Sequence, residues 1–268
     1  MAQVEQKSET RSYQDLIYEV KGEVCWITFN RPHRLNTFTG TTWRELHSAL
    51  ADAAHDSEVA VIVMTGAEKE GYRPAFSAGG DQNERETPEY RTFPMVVMRD
   101  VRDAPKPVIA AVNGYAIGGG HWLHVICDFS IASDNASFGQ AGPRVGSMAS
   151  GYVVSHLAQV IGMKRAKEMW MLCRRYDAKT ALQWGLVNAV VPHDQLHAEA
   201  QKWCDELLNI SPSCIMAIKE SYNQASDYLL ASEPAHWIDH NFYKSEEAKE
   251  AVTAFFEKRK PDFRRFRR

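Results

Sequence analysis

"YAIGGGHWLHVICD" occupies residues 115–128, and three consecutive glycines stand where its helical second half begins. The preceding "PVIAAVNG" (107–114) is a continuous apolar run, of the kind buried on both faces of a parallel sheet. The pattern therefore reads strand, bare turn, helix. It is not a dinucleotide fingerprint, because the GxGxxG spacing with a distant acid is missing, and no GK[ST] follows to make a P-loop. A second turn has the same form: "VAVIVMTG" (59–66) is another buried strand, and "PAFSAGGD" (74–81) closes in a glycine turn. Glycine permits close approach of a ligand to main-chain N–H groups. A helix start adds unpaired donors and partial positive charge. Two such turns facing each other would aim two N–H groups at one carbonyl oxygen, as an oxyanion hole does.

Outward from these turns the chain alternates strands and helices. "LIYEVKGEVCWITF" (16–29) reads as a hairpin about Lys21-Gly22, and "TGTTWRELHSALADAAHD" (39–56) as a Thr-capped helix. Residues 82–106 begin without clear periodicity, which suggests a lid, and read as helical from Phe93. "FSIASDNASFGQ" (129–140) is a third strand region. Beyond residue 151 the spacing is helical, in "GYVVSHLAQVIGMKRAKEMWMLC", "DAKTALQWG", "HAEAQKWCDELLNI", "CIMAIKESYNQASDYLLAS" and about 234–258. This order predicts an α/β fold with a parallel core and a helical C-terminal part.

The 268 residues suffice for one large domain or a domain with an appendage. A net charge of −3 gives no general basic field for nucleic acid or an anionic membrane, although the tail "EKRKPDFRRFRR" (257–268) is locally basic. The five cysteines (25, 127, 173, 204, 214) form no CxxC or zinc-like cluster, so no metal site is expected. Cys25, Cys127 and Cys173 lie in apolar stretches and read as buried free thiols of a reducing compartment. No apolar run is long enough for a membrane span, and the polar start resembles neither a signal nor a transit peptide. The expected location is cytoplasmic.

"FSAGGDQ", "KPVIAAVNGYAIGGGHWLHVICDFSIASDNASFGQAGPRVGS", "YDAKTALQWGLVNAVVPHDQL" and "EKRKPDF" together resemble the crotonase (enoyl-CoA hydratase/isomerase) superfamily from about residue 15 to the end. The resemblance implies a flexible N-terminal tail (1–14), a ββα spiral core (15–205) and a C-terminal helical trimerisation region (206–268), assembled as a homotrimer or as a hexamer of two trimers. It implies an acyl-CoA thioester as substrate, coenzyme A entering with it and no tightly bound cofactor. The thioester oxygen would sit between the N–H groups of Gly80 and Gly119, flanked by Gly79 and Gly118. Leu35 and Ala78 would frame the adenine and pantetheine, Lys258 would reach a CoA phosphate, and Asp81, Gln82 and Tyr115 would line the site.

Hydratases of this superfamily carry two glutamates at positions matched here by Trp122 and Gly142. Paired carboxylates activate water and deliver a proton across a double bond; without them syn-hydration is disfavoured. "GGGH", "SFGQAGPRVGS" and "YDAKTALQWGLVN" instead resemble the branch of 1,4-dihydroxy-2-naphthoyl-CoA synthase and 2-ketocyclohexanecarboxyl-CoA hydrolase, which make or break a C–C bond through a thioester enolate. "NTFTGTTWREL" and "VPHDQLHAEAQKW" lean towards the hydrolase, as does the apolar Leu35 in place of an arginine. On this resemblance Ser147 and Tyr243 would hydrogen-bond a second carbonyl, Tyr90 would be a lid tyrosine, and Gln140, Ala141 and Gly142 would lie where some synthases hold bicarbonate. Ala149 departs from the branch, which usually has aspartate there; Tyr243, His121, His124 and His156 are the candidate replacements in acid–base work. The alternatives are a hydratase or isomerase with a non-standard base, and an acyl-CoA-binding homologue with impaired catalysis.

Overall fold

The computed structural model describes residues 8–84, 87–149, 151–230 and 242–266. The chain forms two compact units, one of residues 1–138 and 177–224, the other of 139–176 and 225–268.

The first unit is built on a large sheet. Ser8–Ser12 (β1), Leu16–Lys21 (β2) and Val24–Phe29 (β3) form an antiparallel meander, with the β2–β3 turn at Lys21-Gly22 where Gly22 has φ +61°. β1 lies in the stretch assigned above to a flexible tail; its main chain pairs with β2 from Ser8↔Lys21 to Ser12↔Ile17, which supplies the ladder that a polar sequence does not advertise. Val61–Gly66 (β4), Val108–Val112 (β6), Phe129–Ser133 (β8) and the strand Ala189–Val191 continue the sheet in parallel from β3. β4 and β6 are buried at every residue, as their unbroken apolar runs require.

Parallel neighbours need crossovers, and those that leave β4, β6 and β8 each include a short second strand. Ala75–Ser77 (β5) follows β4, Tyr115–Ile117 (β7) follows β6, and Ser137–Gly139 (β9) follows β8, with β7 between β5 and β9 in a smaller sheet. Strand, short strand, helix is the repeating unit of the predicted ββα spiral. β5 and β7 run parallel, Ala75 opposite Tyr115, so both glycine turns leave the same edge side by side.

The helices explain themselves locally. Gly40–His55 (α1) is capped by Thr39, whose hydroxyl accepts from Thr42 N–H while Thr42 Oγ1 accepts from Thr39 N–H; such a cap is worth about 1 kcal/mol. Pro88–Asp103 (α2) begins earlier than the Phe93 start read from the sequence. Thr87 caps it and Pro88 stands in the first turn, where a missing N–H costs nothing. Pro94 inside α2 concealed this start, since proline in a helix interior removes a hydrogen bond. Tyr90 is therefore a first-turn helical residue. Gly119–Ile126 (α3) follows β7. The helix Leu196–Leu208 covers the large sheet, burying Leu196, Ala200 and Cys204 against Val24, Val63, Ile109 and Ile131.

The second unit holds a 3₁₀ turn at Gly142–Arg144, the helices Tyr152–Ile161 (α4) and Met163–Leu172 (α5), and the helix Glu246–Phe256. That last helix buries Ala248, Ala251 and Ala254, and Gly146 (φ +59°) fits against them; a Cβ at Gly146 would stand 2.6 Å from Ala251 Cβ. Of the expected 234–258 helix, residues 234–241 lie outside the described residues. Among the described residues no helix is long and apolar enough to cross a membrane. The five cysteines are free thiols, with Cys25, Cys127, Cys173 and Cys204 buried.

Candidate active site

β5 and β7 end in turns that touch. Gly79 (φ +91°) and Gly118 (φ +58°) take backbone angles that favour glycine, and a Cβ on Gly79 would stand 3.0 Å from Gly119 N. The turn 78–81 is held from behind by the loop 31–39: Ala78 N–H donates to Leu35 O (2.9 Å), Phe38 N–H to Gly79 O (2.8 Å) and Asp81 N–H to Phe38 O (2.8 Å). Gly80 bridges to Phe38 in this ladder, and its own N–H donates to no protein acceptor among the described residues. Gly119 is the first residue of α3, so its N–H is likewise left over. The two expected donors thus belong to adjoining turns, and neither is consumed by the fold.

The two glycines differ in what surrounds them. A Cβ on Gly119 would make ordinary contacts of 3.4 Å with Phe38 and 3.5 Å with Gly79 and Trp43. The protein has room for a methyl group there and leaves it bare. A Cβ on Gly80 would overlap the Tyr90 hydroxyl, so the first turn of α2 lies directly over this glycine. Trp122 stacks on Trp43 (5.3 Å between centroids, 5° between planes), and Trp43 packs on Phe38 at 4.4 Å. An aromatic wall thus stands at Trp122, the position that the resemblance matches to a hydratase's first glutamate, and α3 carries no acid.

The neighbouring polar residues are engaged. Asp81 pairs with Arg31, and burial, which works against its charged form, is outweighed by hydrogen bonds from Asn83 and Arg31 that hold its carboxyl below the usual range. Gln82 Nε2 donates to Gly80 O (3.1 Å). Tyr115 lies under the Arg73 guanidinium, 5.2 Å from the ring centroid, with a hydrogen bond from Arg73 to its hydroxyl. Leu35 adopts φ +54° and meets Ala78 through the ladder just described.

His121 and His124 are fully buried, and the proton arrangement follows from one hydroxyl. Ser130 Oγ donates its single proton to His124 O (2.9 Å), so His124 Nδ1 must donate to Ser130 Oγ (3.1 Å). His124 Nε2 is then bare and accepts from His121 Nδ1 (3.0 Å). Burial pushes His121 down to about 3 and His124 well below the ordinary imidazole range. Both are neutral, weakly basic parts of the helix anchor.

Within the second unit, Tyr243 Oη accepts from Met148 N–H (3.1 Å) and donates to Met148 O (3.2 Å), which ties it to the residue after Ser147. Ser147 N–H closes on Gly142 O (2.9 Å). A Cβ at Gly142 would stand 2.6 Å from Ser147 O, so this turn must move to accept any side chain at the position that the resemblance matches to a second glutamate. Gln140 precedes Ala141 and the turn; its Nε2 is buried with no hydrogen-bond partner. So is Nε1 of Trp170 on α5, a residue the sequence reading passed over as one apolar position of a helix. Lys258 (φ +55°) follows the helix Glu246–Phe256 and makes no ion pair among the described residues, whereas Arg259 is held by Glu250 and Glu257.

A family model for enoyl-CoA hydratase/isomerase matches residues 19–266. The chain belongs to the enoyl-CoA hydratase/isomerase (crotonase) family. Members of this superfamily are enzymes acting on acyl-CoA. An enoyl-CoA hydratase from Mycobacterium avium subsp. paratuberculosis is similar at 30% identity and TM-score 0.82, over 94% of this chain and 99% of that one. A monofunctional enoyl-CoA isomerase from M. smegmatis is 32% identical with TM-score 0.70, over 80% and 94%. A methylmalonyl-CoA decarboxylase in complex with 2-nitronate-propionyl-CoA is 26% identical with TM-score 0.82, over 94% and 99%. Hydration, isomerisation and decarboxylation thus occur on one crotonase fold, and residues at the site must decide among them.

Proposed function

We propose that this crotonase cleaves or forms a C–C bond in a β-keto or cyclic keto acyl-CoA through a thioester enolate, as in the naphthoyl-CoA synthase and ketocyclohexanecarboxyl-CoA hydrolase branch. One observation carries the reading: α3 opens with a main-chain donor left over at Gly119, yet it presents Trp122 and no carboxylate. Such a site is equipped to hold an enolate oxygen and lacks the pair that hydration needs. In the cleavage direction, water adds to the β-ketone and the Cα–Cβ bond breaks. Its electron pair passes to the thioester as an enolate, held by the N–H groups of Gly80 and Gly119. A proton returns to Cα, and the former ketone carbon becomes a carboxylate, which in a cyclic substrate stays attached through the opened ring. Two such donors in a dry site supply several kcal/mol, about 3–4 each. The wall of Phe38, Trp43 and Trp122 keeps water from the oxyanion.

Gln140, whose buried Nε2 has no partner, and bare Gly142 support a bicarbonate-like anion near the 3₁₀ turn, which would supply the base that Ala149 does not. We further propose that Lys258 meets a CoA phosphate.

The test is incubation with 2-ketocyclohexanecarboxyl-CoA and with crotonyl-CoA, followed by mass. The first is expected to gain the mass of one water, and the second to remain unchanged. Hydration of crotonyl-CoA overturns the reading. Turnover of neither, with CoA binding retained, points instead to the impaired homologue that Ala149 suggests. Ala149→Asp should then restore cleavage.

A further inference from the structure

We infer that Arg31 and Asp81 are positioning residues that fix the direction of the Gly80 N–H. This rests on the reading of Gly80 as an oxyanion donor. Asp81 adjoins Gly80 and belongs to the same turn. Arg31 holds it with both terminal nitrogens, Nη1 at 3.3 Å and Nη2 at 3.2 Å from Oδ2. Arg31 Nη1 also donates to Thr37 O (2.7 Å), so one guanidinium clamps the turn to the loop that carries the Phe38 ladder. The other Asp81 oxygen accepts from Asn83 N–H (3.1 Å), which fixes the exit from the turn.

The clamp is braced on its far side. Arg31 Nε lies 3.7 Å from Asp15 Oδ1, while Asp15 Oδ2 accepts from Thr39 (2.7 Å) and Thr42 (2.6 Å) at the start of α1. The loop itself needs bracing, because Leu35 and Asn36 both lie at positive φ, +54° and +52°. Asn36 meets this need by accepting from Arg31 N–H (2.9 Å) and donating to Ala67 O and Ala75 O. These side chains are largely buried, 16% exposed for Arg31, 10% for Asp81 and 8% for Asp15. A neutral turn needs only its three main-chain bonds. The added clamp is intelligible where an N–H must keep one direction as charge develops on its partner.

The cluster places two carboxylates and one guanidinium behind the donor, so positioning and plain charge make opposite forecasts. Asp81→Asn removes a negative charge and by charge alone should favour a bound enolate. If the clamp governs, it should disfavour one. The probe is acetoacetyl-CoA, whose enolate has its own ultraviolet band. Its apparent pKa is measured when bound to the full chain, for wild type and for Asp81→Asn, Arg31→Met and Arg31→Lys, with affinity for CoA itself as a parallel readout. Wild type should lower the ligand's pKa. Asp81→Asn and Arg31→Met should each forfeit about tenfold or more of that enolate preference, one pKa unit. Arg31→Lys, a point charge without the fork, should fall between, and in every variant CoA affinity should change by less than the enolate preference. If Arg31→Met does not fold, Asp81→Asn and Arg31→Lys decide. An unchanged or lowered ligand pKa in Asp81→Asn overturns the clamp while leaving the hole intact. No lowering by wild type overturns the hole, and the clamp with it.

Discussion

At the scale of the residue, the site is defined by atoms that the chain does without. Gly79 and Gly118 are dictated by backbone angle, but Gly119 is not; its Cβ would rest at ordinary distances from Phe38, Gly79 and Trp43. Stability and activity should therefore separate there. Gly119→Ala adds a methyl at the first turn of α3 and exchanges a poor helix former for a good one, so the thermal midpoint should hold or rise, within about 1 kcal/mol. The same methyl occupies the approach to the N–H and should lower kcat/KM by about 100-fold or more, the order lost when an oxyanion donor is removed. Thermal melts beside steady-state kinetics check this; activity retained with stability unchanged would mean that no ligand approaches Gly119. Gly80 offers no such separation, because Tyr90 already occupies the space a methyl would take.

At the scale of the element, α3 shows how the helix that delivers a donor is kept still. The His121–His124–Ser130 chain requires a neutral His124, whose bare Nε2 accepts from His121, and burial keeps the His121 ring neutral as well. His121 stays neutral in the fold down to about 3, but its unfolded value is near 6.5. Between those limits the unfolded chain binds the extra proton, so the contribution is complete above pH 6.5 and drains away as pH falls. Urea unfolding should lose about 1.4 kcal/mol per pH unit from His121 alone between pH 6.5 and 4.5. His121→Phe should flatten that slope; an equal slope in the variant would show that the ring is not buried neutral. The parallel strands β4 and β6 and both glycine turns were legible in the sequence, because burial on two faces writes an unbroken apolar run and a tight turn writes glycine. β1 and the start of α2 were not. β1 is held by main-chain pairing with β2, which any side chains allow, and α2 carries Pro94 where periodicity expects a donor. Trp170 was missed for a related reason: an orphaned indole N–H is a property of surroundings, and the sequence shows only an aromatic at a helical spacing. Arg31 and Asp81 lie 50 positions apart and meet only in the fold.

At the scale of the whole molecule, several large apolar side chains of the described residues face outward. In the second unit, α5 turns Met163, Met171 and Leu172 outward, 59%, 69% and 49% exposed. In the first unit, Pro212–Gln224 buries only Lys219 and exposes Ile218 and Tyr222. Scattered apolar residues need no explanation, but several on single helices mark association surfaces. We propose that they meet in a homotrimer or a pair of trimers, as the kinship suggests. The double substitution Met171→Glu with Leu172→Glu places two carboxylates on the outward face of α5 and touches no residue assigned to the enolate site. If α5 joins copies of the chain, sedimentation velocity should shift from trimer or hexamer towards monomer, with the circular dichroism of the single chain preserved. Because burying a charge without a partner costs several kcal/mol, the shift should be complete at micromolar chain concentration. A variant that sediments as wild type does would remove α5 from the interface and leave the Pro212–Gln224 helix as the surface to be tested by Tyr222→Glu.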